Sequence, residues 1–235
     1  MKPLIIALHG FGASPEVWEP FLPLLLQYGN IATPFLPGHF RQTDQIGVNE
    51  FADTLLEQHP EFGEQPVILI GHSLGGAVAA VMADILPQVL GYISVDTFLL
   101  PYGQLTEEQK NSFSQGFVED SPTAATRLLE KNLKPDVPEE IRQQLYNGLL
   151  DLEAGFAATL WRNMLDWQPN LEILQQQNIP LFAINGSLFP EQQRTRYQSL
   201  WQETVIADAW HFPMEEAPEA FSNALRKILD TLVES

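Results

Sequence analysis

The sequence predicts an α/β fold: a mostly parallel central sheet flanked by helices, interrupted by a helical cap. Three observations carry this. Short apolar runs alternate with helical stretches, the pattern of strands buried on both faces. A glycine-bounded serine, in Gly71-His72-Ser73-Leu74-Gly75, stands directly between one such run and a helix of small residues. From Leu99 to Asn178 the alternation gives way to helix alone, and strand-like runs then resume.

Each element follows from its local pattern. Leu4–Leu8 is a first strand, five apolar residues bounded by Pro3 and by His9-Gly10-Phe11-Gly12. Glu16–Gln27 reads as a helix carrying Val17, Phe21, Leu24 and Leu25. Asn30–Pro34 is a second short strand, leading into the loop Leu36-Pro37-Gly38-His39. Asn49–His59 is helical, with Phe51, Leu55 and Leu56 on one face. Pro66–Ile70 is the third strand, Gly71–Ser73 a turn, and Leu74 to about Leu86 a helix. The strand Leu90–Val95 ends at Asp96. The helical stretch is broken at Pro122, Pro135, Pro138 and Pro169, and holds Phe113, Phe117, Phe156, Trp161 and Trp167. Pro180–Ile184 and a run near Thr204–Ala207 are strands, and Pro218–Val233 is the last helix. The expected organisation is a core of residues 1–98 and 179–235 with a cap over 99–178.

Composition narrows the function classes. The 235 residues suit one large domain, or a core with one insertion. Thirty acidic residues against 12 basic ones give a net charge of −18, which repels phosphate backbones and anionic membrane surfaces. Neither nucleic acid nor membrane is therefore expected as a partner, whereas a small-molecule substrate is; the pattern says nothing of oligomeric state. The absence of cysteine excludes disulfides and a cysteine nucleophile. The apolar run before His9 is too short for a signal segment, and none reaches the roughly 20 residues of a membrane span. A soluble, cytoplasmic protein is expected.

The chemistry centres on G-x-S-x-G between a strand and a helix. A sharp strand-to-helix turn strains the serine backbone and leaves no room for a Cβ at the neighbouring glycines. It also projects the hydroxyl away from the sheet, beside unpaired N–H groups at the start of the helix.

In these motifs the chain resembles the α/β-hydrolase superfamily, over essentially its whole length. Leu8-His9-Gly10-Phe11-Gly12 resembles the family's oxyanion loop. Phe35-Leu36-Pro37-Gly38-His39 resembles a loop usually read Asp-Leu-Pro-Gly-His-Gly, with Phe35 and Phe40 as departures. Trp210-His211-Phe212-Pro213-Met214-Glu215-Glu216-Ala217-Pro218 resembles the segment carrying the catalytic histidine.

The resemblance implies Ser73 as nucleophile and His211 as general base, since a serine hydroxyl needs a neighbouring base to take its proton. Of the other histidines, His9 sits where the family braces the oxyanion loop, and His39 lies in a loop of similar character. His59 ends a polar helix, and strand alternation points His72 away from Ser73. The backbone N–H groups of Phe11 and Leu74 are the implied oxyanion donors.

The acid is irregular. The family most often carries Asp or Glu after the strand that here is Leu181–Ile184, yet the chain reads Asn185-Gly186-Ser187-Leu188-Phe189-Pro190-Glu191. A minority places the acid one strand earlier, where Asp96 stands. Asp96 is the chosen acid, with a helix N-cap as its other reading; Glu191 is the reserve, and Asp208 lies too close in sequence to His211. Phe98, Phe117 and Trp161 are candidate pocket residues, though Trp161, Met164 and Trp167 equally suit a stripe packing cap to core. Arg162 is either a holder for a substrate carboxylate or a solvated side chain. No metal or organic cofactor is implied. The expected activity is hydrolysis of a small to medium uncharged carboxylic ester through an acyl-enzyme. Competing readings are a same-fold lyase like that of the menaquinone pathway, a carbon–carbon bond hydrolase, an acyl transferase, or a non-catalytic hydrolase-like binding protein.

Overall fold

Along the strand Leu4–Leu8 (β1), Ile5 and Ala7 pack into one hydrophobic layer while Leu4, Ile6 and Leu8 pack into another. Both layers are apolar because both faces of the sheet are covered. The computed structural model describes residues 2–97, 105–168 and 171–234. After β1 the chain forms a 3-10 turn over Pro15–Phe21, the helix α1 (Leu22–Tyr28), β2 (Asn30–Ala32), α2 (Val48–Gln58) and a second 3-10 turn over Pro60–Glu64. β3 (Val67–His72), α3 (Leu74–Ile85) and β4 (Val89–Val95) complete the first half.

The helical stretch provides α4 (Glu107–Glu119), α5 (Ser121–Asn132), α6 (Glu139–Leu150), α7 (Ala154–Asp166) and α8 (Leu171–Gln176). Then follow β5 (Leu181–Gly186), α9 (Glu191–Tyr197), β6 (Gln202–Ile206), α10 (Pro213–Glu216) and α11 (Pro218–Glu234). The six strands form one sheet in the order β2-β1-β3-β4-β5-β6, every pair parallel. One layer packs the sheet against α2, α3 and the inserted helices, with Phe51, Val78 and Leu160 fully buried. The opposite layer holds Trp18, Phe21, Leu25 and the apolar face of α11.

Several readings of the sequence change in detail; β2 is shorter than expected, β5 reaches Gly186, and α9 and α10 are additional helices. The helix expected over Glu16–Gln27 is instead a 3-10 turn followed by α1, because Pro20 and Pro23 lack the N–H that a continuous helix needs. β3 runs two residues beyond Ile70, since Gly71 and His72 still pair with Ser94 and Val95 of β4. Within the insertion, α8 packs on α3 of the core, and among the described residues α5, α6 and α7 line the space beside the serine turn.

The strand order reverses between β1 and β3: β1 leads outward to β2, and β3 begins the run the other way. A crevice opens at the carboxyl ends of the strands at such a reversal. The loop after β1 and the serine after β3 flank it.

Candidate active site

Ser73 ends β3 with φ 51° and ψ −117°, a conformation disfavoured for any residue but glycine. The surroundings hold it there. Its N–H donates to Val95 O (2.9 Å), while Gly76 N–H and Ala77 N–H donate to its carbonyl. A Cβ at Gly71 would overlap the Gly75 carbonyl, and one at Gly75 would overlap the carbonyls of Leu8 and His9. The turn is thus locked between β1 and its own helix, with no space for side chains. Leu74 is the first residue of α3, so its N–H has no acceptor within the helix.

β4 lies next to β3 and delivers Asp96 at its own carboxyl end, also with a positive φ of 43°. Asp96 N–H donates to Ile184 O (3.0 Å), which seats it between β4 and β5. The residue is 2% exposed. Oδ2 accepts the Gly186 N–H (2.6 Å), and Oδ1 lies 2.7 Å from His211 Nδ1. His211 Nε2 is in turn 3.0 Å from Ser73 Oγ. A carboxylate only accepts, so the proton sits on Nδ1 and Nε2 is left with its lone pair toward the serine.

Glu191, the reserve acid, starts α9 elsewhere; its exposed carboxylate faces Arg194 at 4.0 Å, and Arg194 also binds Glu203 (2.9 Å). Asn185 stands where relatives more often place their acid loop. It is buried, and its Nδ2 donates to Glu203 Oε1 (2.7 Å).

Three further histidines support the site as neutral rings. His9 donates from Nδ1 to Gly10 O (2.9 Å) and accepts the Leu36 N–H at Nε2 (3.0 Å). His39 accepts the Gly12 N–H at Nε2 (3.2 Å). The two rings therefore fasten the loop Gly10–Gly12 from both ends. Burial pushes His9 down to about 3 and His39 to about 4, keeping the accepting nitrogens unprotonated.

Strand alternation aims His72 away from Ser73, and its ring instead reaches the loop bearing His211. Nε2–H donates to the His211 carbonyl (2.8 Å), and the rings lie 5.1 Å apart. Burial pushes His72 down to about 3. No local motif announces this contact, which joins residues 139 apart in sequence.

A narrow cavity of about 50 Å³ opens onto Ser73. α5 and α6 contribute Leu128, Leu129, Leu145 and Leu149; α7 contributes Trp161 and Met164; Phe11 and Phe212 come from the core. Of the residues expected to line a pocket, Trp161 does so, 5.2 Å from the Phe11 ring. Phe117 packs against Phe11 and Trp161 without lining the cavity. Phe98 lies outside the described residues. Arg162 is engaged by Glu107 and by Asp166 (3.0 Å), so its charge is already answered within the inserted helices. Among the described residues no cluster of three His, Asp or Glu side chains is placed to hold a metal ion, and no helix is long and apolar enough to cross a membrane.

Comparison with known proteins bears on the family and the fold. The chain is 36% identical over 207 residues to a pimeloyl-[acyl-carrier protein] methyl ester esterase of Aromatoleum aromaticum, covering 79% of each chain. It is 29% identical over 155 residues to the monoacylglycerol lipase ABHD6 of Rattus norvegicus, covering 61% of this chain; that match spans 43% of the relative's length. An esterase structure from Thermogutta terrifontis superposes with a TM-score of 0.85 at 20% identity, covering 98% of this chain and 90% of that one. This last likeness shows the fold. The alpha/beta hydrolase family model matches residues 5–224, and with its parallel sheet and serine turn the chain belongs to that family.

Proposed function

We propose that this chain is a serine hydrolase of carboxylic esters with a short, uncharged, apolar acyl group. One observation carries the reading: an unbroken Ser73–His211–Asp96 hydrogen-bond chain ends in a cavity walled by leucine, methionine and aromatic side chains. His211 Nε2 takes the proton as Ser73 Oγ attacks the ester carbonyl. The carboxylate of Asp96 stabilises the imidazolium that forms. The N–H groups of Phe11 and Leu74 receive the developing oxyanion, each such donor being worth about 3 kcal/mol. His211 then protonates the leaving alcohol, and water attacks the acyl-enzyme by the same route. No step calls on a cofactor.

The wall chemistry supports the substrate class. A water-sized group needs about 10–15 Å³ of such space, so the cavity suits an acyl chain of a few carbons. Among the described residues no lining side chain offers a free cation for an anionic acyl group, and the paired Arg162 does not change this. The likeness to the methyl ester esterase supports ester chemistry without naming an alcohol or acyl partner for this chain.

The direct test is fluorophosphonate labelling, with the modified residue located by peptide mass spectrometry, alongside a panel of p-nitrophenyl esters. Rapid modification of Ser73 and turnover of acetate and butyrate esters is the expected result. Folded protein that neither labels nor turns over would overturn the reading in favour of a binding role.

A further inference from the structure

The loop carrying His211 is held from the cap side as well as from the sheet. His211 N–H donates to Asn132 O (3.1 Å), at the last residue of α5. The carboxylate of Glu216 lies under the same loop. Its Oε2 accepts from Trp210 N–H (2.6 Å) and Phe212 N–H (3.1 Å), the amides on either side of His211. Its Oε1 accepts from Lys134 N–H (2.7 Å), two residues beyond Asn132. Lys134 reaches back with its ammonium to Asp208 O (3.1 Å) and Asp208 Oδ1 (3.7 Å). Asn132 also lines the cavity, with Leu128 and Leu129 from the preceding turns of α5.

From this geometry we infer that Glu216 is a positioning residue: one carboxylate fixes the loop of the catalytic histidine and latches the acyl-binding part of the cap to it. The inference rests on the proposed role of His211. Two of the three bonds hold the histidine loop, and the third holds the cap turn that follows α5. Cap seating and base alignment are thus set by one side chain. The negative charge also faces the His211 region, alongside the Asp96 carboxylate and the His72 ring; nearest to Glu216 itself, Lys134 is paired with Asp136 (3.6 Å) and Asp208, while Glu215 adds like charge when ionised.

Two substitutions separate the halves of the latch. In Glu216→Gln the amide oxygen keeps Trp210 and Phe212, and the NH₂ group then opposes the Lys134 N–H, donor against donor. In Glu216→Ala all three bonds are lost. Backbone amide exchange read by NMR tests the latch without any turnover. Faster exchange at Lys134 alone in the Gln variant, and at Lys134, Trp210 and Phe212 in the Ala variant, is the expected result.

Ester kinetics then test its consequence. E216Q should raise KM for a butyrate ester more than it lowers kcat, because the cap turn loosens first. It should also move the acid limb of the pH–rate profile to lower pH, because a charge favouring imidazolium is gone. E216A should lower kcat roughly ten- to a hundredfold for acetate and butyrate alike, the scale of a misplaced catalytic group. Wild-type amide exchange in both variants would overturn the latch. So would a fall in kcat as large as the rise in KM in E216Q with the acid limb unmoved, since that is simple structural damage. If the Ala variant does not fold, the exchange pattern and kinetics of E216Q decide alone.

Discussion

Replacing Asp96 by Asn probes the least expected member of the site. The carboxylate uses both oxygens, Oδ2 on Gly186 N–H at 2.6 Å and Oδ1 on His211 Nδ1 at 2.7 Å. An asparagine can satisfy only one of these donors. Placing its NH₂ toward Gly186 sets donor against donor in a buried site, so the oxygen stays there and the NH₂ turns to His211. The ring must then accept at Nδ1 and carry its proton on Nε2, where it can no longer take the proton of Ser73. Loss of the correct tautomer in a Ser–His–Asp system costs about 10⁴-fold in turnover, or about 5.4 kcal/mol of barrier. The fold should persist, because asparagine tolerates the positive φ of 43° at this position. The assay is kcat/KM on p-nitrophenyl butyrate and the fluorophosphonate labelling rate, with a thermal melt to show intact folding. A D96N protein within about tenfold of wild type, folded and pure, refutes the assignment. Glu191→Gln serves as the control and should match wild type, since its carboxylate faces Arg194 and solvent.

Acid should destabilise the fold. His9, His39 and His72 are held down to about 3, 4 and 3 from an ordinary 6.5, so below pH 6.5 the unfolded chain binds more protons than the native one. Their contribution is complete above pH 6.5 and is lost as pH falls toward the native values, each by up to about 1.4 kcal/mol per pH unit. Glu215 opposes this: burial pushes it up to about 8, so its contribution is complete below pH 4.5 and fades as pH rises through 8. Glu216, also raised by burial, opposes in the same direction. The net expectation is a loss of about 2–4 kcal/mol from pH 7 to pH 5, read from urea midpoints, and equal midpoints would contradict it. A third test concerns the cavity. Leu145→Trp should reduce butyrate ester hydrolysis by at least about tenfold while acetate changes less, the scale for a few methylenes in an apolar pocket. Uniform loss across chain lengths would show that Leu145 does not meet the acyl group.

Much of this architecture is written in local pattern. The runs Leu4–Leu8 and Val67–Ile70 are apolar at every position because helices cover both faces, and G-x-S-x-G announces its own turn. Asp96 was legible for a negative reason, the lack of any aspartate between Asn185 and Pro190, combined with the adjacency of parallel strand ends. What pattern could not supply are contacts between backbone and distant side chains. The His72–His211 carbonyl bond and the Glu216 contacts join segments brought together only by the sheet and the inserted helices. Phe117 illustrates the same limit: aromatic residues in the insertion face either the cavity or each other, and only packing decides which.

The glycine-locked turn at Ser73 has a consequence for how such a protein can change over generations. A Cβ at Gly71 or Gly75 would collide with backbone, and one at Gly76 with the Thr97 side chain, so mutation has almost no viable steps at these three glycines. The opposite holds for the walls of the cavity. Leu128, Leu129, Leu145, Leu149, Trp161 and Met164 all come from the inserted helices, whereas Ser73 and Asp96 are set by the strand ends of the sheet. Selection for a new acyl group therefore has an open field in the insertion and a closed one in the sheet. The reacting atoms can be inherited unaltered while the molecule they act upon is exchanged.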